Sequence, residues 1–555
     1  MAIYLVFEEQ PYSTKSLEKL CLQKYLHQTS STHSKCNYIG FHKNYQSNIS
    51  VFVLPKIFLH NQKVFGKYEH EVFISKPIKE IISLQEFEII KSITEKLYFC
   101  LRKYQREVAS SIIDTELGLS IKSNIGTQYA GAFEAMLALI AFNRNNPLLY
   151  TQERQIVESK TSHTINWKKT LSSSIPVNVD ESLVYFDFSR SAKGSKKDDF
   201  LLTIFYSLLN EFKEYDPTIR IKSLIKILNS NQFVKVKSKV RSFLRTSKST
   251  YFSDKFRQLH SLLQSYYFAE NALYNNDQIE FLLTNDFEII FEKFVDSLLS
   301  DEYLLKLYKS LKDGKEIDHL FGEKDAFMGS KIIYIGDSKY YKDPSKIAVQ
   351  KYKQFTYSRN IIQENIYIIN SGESTIYSRN YRDIISEGYN VTPNFFVFAV
   401  VQNNYLESST LISIDFQEPE FSCHFENRLF DRDSLHILYF KVDFIGLLNF
   451  YIGADKRLGI SHSTLRRISK NIIQTEFRKY LDRKYIFYFI EIDRGIIEQN
   501  FKLLHGKIFT SPAISPKYIL ALDKKFESEN QILLSFMSTL NVDTEQINLI
   551  DLSEI

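Results

Sequence analysis

Near the middle of the chain the run Lys331-Ile332-Ile333-Tyr334-Ile335-Gly336 leads into Asp337-Ser338-Lys339. Upstream, Asp318 stands among the apolar residues Ile317, Leu320 and Phe321. Side chains two apart on a strand share a face, so Asp337 and Lys339 converge while Ser338 points away. A neighbouring strand carrying Asp318 would add a second carboxylate. Two hard carboxylates suit Mg²⁺, which keeps several waters and takes further ligands from substrate phosphate oxygens. An ammonium beside that ion can orient an attacking water or offset charge developing on phosphorus. The chemistry these types and spacings imply is metal-assisted hydrolysis of a phosphodiester. Alone, an Asp-x-Lys triplet more often marks a solvated strand face with an ion pair of about 0–1 kcal/mol. Its surroundings favour the functional reading: the run is β-rich, and Gly336 would let backbone approach a ligand beside the acid.

Two helical patterns frame this segment. Residues 287, 290, 291, 294, 295, 298 and 299 are apolar, which is a helical period, and Glu292 lies beside the stripe, where it could lean over a metal. Glu288 and Asp296, one turn to either side, compete for that role. Downstream, residues 347 to 362 form a second pattern, with Gln354 and Tyr357 as i, i+3 neighbours on one face. Asp325 competes with Asp318 as the first acid, but it sits in a Gly/Lys/Asp loop, whereas Asp318 has apolar neighbours and leaves room for a hairpin. His319 reads either as a phosphate or water contact or as a hydrogen-bonded structural histidine.

The order acidic helix, Asp strand, Asp-x-Lys strand and Gln-x-x-Tyr helix resembles the PD-(D/E)XK nuclease superfamily. More narrowly, Ile317-Asp318-His319, residues 334 to 342, residues 352 to 357, and residues 387 to 396 are similar to LlaJI-type restriction endonucleases, relatives of the McrC nuclease subunit. These motifs cover residues 287 to 400, about a fifth of the chain. Weaker similarity reaches back to residues 53 to 58 and 164 to 170. The chain departs from the superfamily pattern in having Ile317 where a proline commonly precedes the first acid, and Asp337 where Glu is common.

The resemblance implies an α/β fold with a restriction-endonuclease-like αβββαβ core. That core is inserted between a β-rich and helical N-terminal region and a mixed α+β C-terminal region. It implies Asp318, Asp337 and Lys339 as catalytic residues, Glu292, Gln354 and Tyr357 as supporting ones, and Asp318, Asp337, Glu292 and the Ser338 carbonyl as ligands of Mg²⁺, with Mn²⁺ as substitute. The substrate class is double-stranded DNA within a bacterial phage-defence system. Implied partners are a cognate DNA methyltransferase, a separate nucleotide-hydrolysing AAA+ subunit, and a second copy of the chain for double-strand cutting. The chain has no G-x-x-x-x-G-K-[ST] of its own, so nucleotide hydrolysis is not expected of it.

At 555 residues, 44% hydrophobic and 24% charged, the sequence reads as a multi-domain globular protein. Four regions are expected: a β-rich module over 1–75, a mainly helical region over 76–280, the nuclease core over 281–405, and an α+β region over 406–555 that reads DNA or binds a partner. The net charge of +5 says little, but its distribution says more. Between Asp216 and Asp254 there is no acid and nine basic residues: Arg220, Lys222, Lys226, Lys235, Lys237, Lys239, Arg241, Arg245 and Lys248. A solvated helical face and a DNA contact both account for that tract. A second basic cluster runs from Arg190 to Lys197. Arg466, Arg467, Lys470 and Arg478 likewise mark either a DNA-facing helix or its solvated side.

Cys21, Cys36, Cys100 and Cys423 include no C-x-x-C pair, which suits a reducing cytoplasm, and the His and Cys spacing near Cys36 is too irregular for a recognisable zinc motif. With no basic leader and no apolar helical stretch of about 20 residues, a cytoplasmic protein without a membrane span is expected. Two other functions compete with the restriction nuclease. One is a non-catalytic DNA-binding or assembly subunit; the other is a nuclease acting on RNA or DNA ends in defence or repair.

Overall fold

A computed structural model describes residues 2–108, 112–116, 121–122, 128–129, 131–147, 149, 155–158, 165–180, 182–189, 191–194, 197–223, 225–251, 253–275, 279–308, 316–327, 331–340, 344–373, 377, 381–415, 417–453, 460–510 and 517–553. Of the basic cluster from Arg190 to Lys197, Arg190 and Lys196 lie outside them. The chain folds as a mixed α/β protein of two compact units. One comprises residues 1–4, 41–51 and 114–282, the other 5–40, 52–113 and 283–555. The first is built largely on the helices Ala132–Asn145, Lys197–Phe212, Ser230–Thr246 and Asp254–Asn275. Among the described residues no helix is long and apolar enough to cross a membrane.

The second unit carries the chemistry-bearing segment on a six-stranded sheet. Helices α1 (Phe287–Leu299) and α2 (Glu302–Tyr308) come first, then strands β1 (His319–Lys324) and β2 (Lys331–Lys339). Helix α3 (Pro344–Asn370) follows, and then β3 (Pro393–Val400), β4 (Ile412–Ile414), β5 (Glu420–Ser422), β6 (Leu435–Asp443) and helix α4 (Phe444–Ile452). The spatial order is β1-β2-β3-β6-β4, with β5 also on β6. The β1/β2 pair is antiparallel, whereas β2/β3 and β3/β6 are parallel. Parallel strands covered on both faces read as unbroken apolar runs. Accordingly β2 is buried from Ile332 to Ser338 and β3 from Pro393 to Ala399. Between α1 and α3 the described residues hold two long strands, where the αβββαβ order has three.

One face of the sheet packs Leu320, Ile333 and Ile335 against Tyr357, Ile361 and Ile362 of α3, with Tyr381 closing the cluster. The backbone N–H of Ile333 falls beyond the start of β3 and donates instead to the Tyr381 hydroxyl at 3.0 Å. On the opposite face the Phe321 and Tyr334 rings stack at 4.8 Å. Here Gly336 departs from expectation. A side chain at 336 would collide with the Phe395 ring, so the glycine makes room for that ring and not for a ligand.

Strand β1 is an edge strand, and its outer backbone groups need partners. Asp301 supplies them: its N–H donates to the Leu320 carbonyl at 2.8 Å, and its Oδ2 accepts from the Gly322 N–H at 3.0 Å. Asp301 is itself held by Lys470 of helix α5 (His462–Lys484), Nζ to Oδ1 2.7 Å. The same helix reaches further along the strand in steps of four residues. Arg466 donates to the Leu298 and Ser300 carbonyls, Gln474 to Lys324 O at 2.7 Å, and Arg478 to Ala326 O at 3.1 Å and Asp325 O at 3.2 Å. Lys470 and Arg478 are therefore buried and neither DNA-facing nor solvated, and Arg466 is partly buried. Arg466 and Lys470 hold the α1–α2 turn that carries Asp301, Arg478 grips backbone just past β1, and of the four basic residues singled out on this helix only Arg467 is exposed.

A separate four-stranded sheet follows, in the order Ile508–Phe509, Tyr518–Asp523, Tyr485–Ile490, Thr544–Ile547, with its own core that includes Leu520, Leu522, Leu533 and Met537. Replacing Tyr381 by Phe should leave the buried Ile333 N–H unpaired and cost about 1–3 kcal/mol. Urea unfolding checks this, and an unchanged midpoint would show that the hydroxyl is dispensable.

Candidate active site

Two strand ends build the site. In the β1/β2 ladder His319 pairs with Gly336, so the next step outward sets residue 318 opposite residue 337 on one face. Asp318 occupies the bend just before β1, and Asp337 lies near the end of β2. Asp337 is 1% exposed, and its Oδ1 accepts from Lys339 Nζ at 2.5 Å. The alternation of β2 thus brings acid and ammonium together across one residue. The second oxygen, Oδ2, is buried and receives no hydrogen bond of normal geometry.

Asp318 is the electrostatic outlier. Its pKa is pushed up to about 8, first because its carboxyl is withdrawn from water and second because the Asp337 carboxylate disfavours another negative charge beside it. His319 and Lys339 oppose the rise without cancelling it. Near neutral pH the carboxylate pair therefore holds a proton. A cation binding there would take that proton's place, so this donor set fits a hard divalent ion. Among the described residues no group of three or more His, Cys, Asp or Glu side chains converges as a metal cage. Two carboxylates leave most positions to water and phosphate, which is how Mg²⁺ is commonly held.

The other predicted residues are placed as follows. Gln354 is fully buried on α3 and donates from Nε2 to the Ile335 carbonyl at 2.9 Å, clamping β2 two residues before Asp337. Tyr357, also buried, feels both carboxylates: desolvation raises its pKa first, and the charges of Asp318 and Asp337 add to the rise. Ser338 is buried on the other face, in register with Val397. Glu292 is half-buried on α1, and Asp296, one turn further on, reaches His319 of β1. Asp296 Oδ1 lies 2.8 Å from His319 Nδ1 and accepts from Ser300 Oγ at 2.6 Å. His319 thus turns to α1 as a buried structural group, with no hydrogen bond to Nε2. Asp325 is likewise structural: Oδ1 accepts from Phe327 N and Oδ2 from Asn390 Nδ2, both at 3.0 Å.

Sequence reasoning did not single out Lys353 as a site residue. It is exposed on α3, with its ammonium 5.3 Å from the centre of the Tyr357 ring. Burial works against its charge, but the Tyr357 hydroxyl and then the Asp318 and Asp337 carboxylates outweigh this and raise its pKa. The i, i+4 spacing from Lys353 to Tyr357 was the available signal.

No family model matches the sequence, and no curated protein matches it. Among solved structures, similarity is found to a chain of an assembly of Thermococcus gammatolerans McrB AAA+ hexamers with bound McrC. The identity is 12% and the TM-score 0.29, over 85% of this chain and 100% of that one. A likeness at that level carries no argument here.

The raised Asp318 pKa sets a pH dependence with a definite sign. Between about pH 4, where the unfolded carboxyl titrates, and about pH 8, the folded chain holds a proton that the unfolded chain has lost, so stability falls as pH rises through that window. In EDTA-containing buffer the wild-type unfolding midpoint should fall relative to that of Asp318→Asn from pH 5 to pH 8, and the two should run parallel above pH 9. Curves parallel throughout would show that Asp318 is not shifted.

Proposed function

We propose that this chain is a metal-dependent endonuclease of a restriction, phage-defence system that hydrolyses phosphodiester bonds in double-stranded DNA. The observation that carries the reading is the meeting of Asp318 and Asp337 across an antiparallel strand pair, with Lys339 on the same face and bonded to Asp337. The motif resemblance to PD-(D/E)XK nucleases of the LlaJI and McrC kind supports it. So does the raised pKa of Asp318, since strongly perturbed acids cluster at functional sites.

In this reading Asp318 and Asp337 hold Mg²⁺, with the Ser338 carbonyl and Glu292 as further candidates, and Mn²⁺ substitutes. When bound, the ion supplies Lewis-acid polarisation and a lowered pKa for water. Lys339 leaves its ion pair with Asp337 to orient the attacking water or to hold a proton near the scissile phosphate. Gln354 keeps the β2 backbone, and so Asp337, in place. Tyr357 and Lys353 offer a hydroxyl and a second ammonium to a phosphate oxygen. A nucleotide-hydrolysing AAA+ subunit, a cognate methyltransferase and a second copy of this chain are the partners such a system would use.

Incubation with Mg²⁺ and closed circular, linear and methylated DNA, and with RNA, tests the reading, in the presence and absence of such an AAA+ subunit. Cutting of duplex DNA is expected, with losses of at least about 100-fold in Asp337→Asn and Lys339→Ala while both remain folded. Undiminished cutting by either purified variant removes the assignment. Cutting of RNA alone moves the substrate class, and a chain that binds but never cuts is an assembly subunit.

A further inference from the structure

The acid-free tract between Asp216 and Asp254 belongs to the unit that does not carry the carboxylate pair. The chain as a whole has 70 basic and 65 acidic residues, so nine basic residues without one acid are a local concentration and not a reflection of composition. Five of them lie on the helix Ser230–Thr246, and the fold sorts these five by role. Phe233, Val240 and Leu244 form the buried stripe. Lys237 turns toward a neighbouring helix and pairs with Glu211 at 2.9 Å, while the charge of Arg241 bears on the buried Glu270. Arg245 lies over the Phe268 ring, 5.2 Å from its centre.

Lys235 and Lys239 are left on the outward face, one helical turn apart and exposed, with Ser238, Ser242 and Thr246 beside them. Like charges at i, i+4 disfavour a helix by a few tenths of a kcal/mol, and nothing in the tract offsets this pair. Lys222, Lys226 and Lys248 of the same tract are exposed as well. Lysines alternating with hydroxyls, without acids, are a chemistry suited to backbone phosphates and not to base edges.

We infer that the outward face of the helix Ser230–Thr246 binds the phosphate backbone of duplex DNA without regard to sequence, through Lys235 and Lys239. The choice of duplex DNA rests on the reading proposed above, but binding is measured in EDTA, where no metal-dependent step occurs, so failure of this inference is distinguishable from failure of that reading. Fluorescence anisotropy of two short labelled duplexes of unrelated sequence, titrated at several salt concentrations, reads it out. For Lys235→Glu/Lys239→Glu the affinity for both duplexes should fall at least about tenfold, and the slope of log K against log salt should flatten by about 0.9 for each lost contact. Lys235→Gln/Lys239→Gln should show the same flattening without charge reversal, which guards against a folding defect. An unchanged slope overturns the inference, as does a loss confined to one duplex. An equal loss in the control Lys168→Glu/Lys169→Glu, two exposed lysines elsewhere in the same unit, overturns it too. So does a loss of binding to anionic vesicles with DNA binding intact.

Discussion

Two carboxylates set opposite each other at the end of a buried strand pair repel, and the strand ladder gives them no freedom to separate. This is the constraint around which the second unit is arranged. Burial sharpens it by weakening the screening that water would provide. Lys339 relieves half of it through Asp337, and a retained proton on Asp318 relieves the rest. A fold selected only for stability would place an apolar or singly charged residue at one of the two positions. Keeping both means that the site is held at a cost which a divalent cation is suited to remove.

Holding that arrangement requires a rigid frame, since Asp318 sits on the bend that opens the edge strand of the sheet. The frame comes from three directions. Gln354 ties α3 to the backbone of β2, Asp296 ties α1 to His319 beside Asp318, and α5 lays Arg466 and Lys470 against the α1–α2 turn that plugs β1, and Gln474 and Arg478 against the backbone at and just past its end. Each contact is a side chain gripping main chain or an at least partly buried side chain. Such contacts fix position more narrowly than apolar packing does, which is what the proposed metal-dependent phosphodiester chemistry would require of its site.

What could be read from the sequence followed from periodicity. The apolar spacing over 287–299 marks a helix that the chain forms over those residues, and the alternation through 331–339 places Asp337 and Lys339 on one face. Charge was harder to read, because a basic residue on a helix looks the same whether it meets solvent, nucleic acid or a carbonyl from a distant loop. Arg466, Lys470 and Arg478 are spaced for a helix face, yet their partners lie about 150 to 170 residues earlier in the chain. Asp296 was one of three acids on consecutive turns, and only the docking of β1 distinguishes it. Gly336 illustrates the same limit: a small residue beside an acid suggests room for a ligand, and only the sheet register reveals that Phe395 fills the space.

The plugging of the edge strand by Asp301 has a consequence for assembly. An open strand edge invites a neighbouring chain to extend the sheet, a common route to dimers and to aggregation. At Leu320 and Gly322 that route is closed, because one aspartate has already used the outward carbonyl and N–H and is locked in place by Lys470. A second copy recruited to cut the opposite DNA strand would have to join through other surfaces, leaving β1 and the acid at its head undisturbed by association.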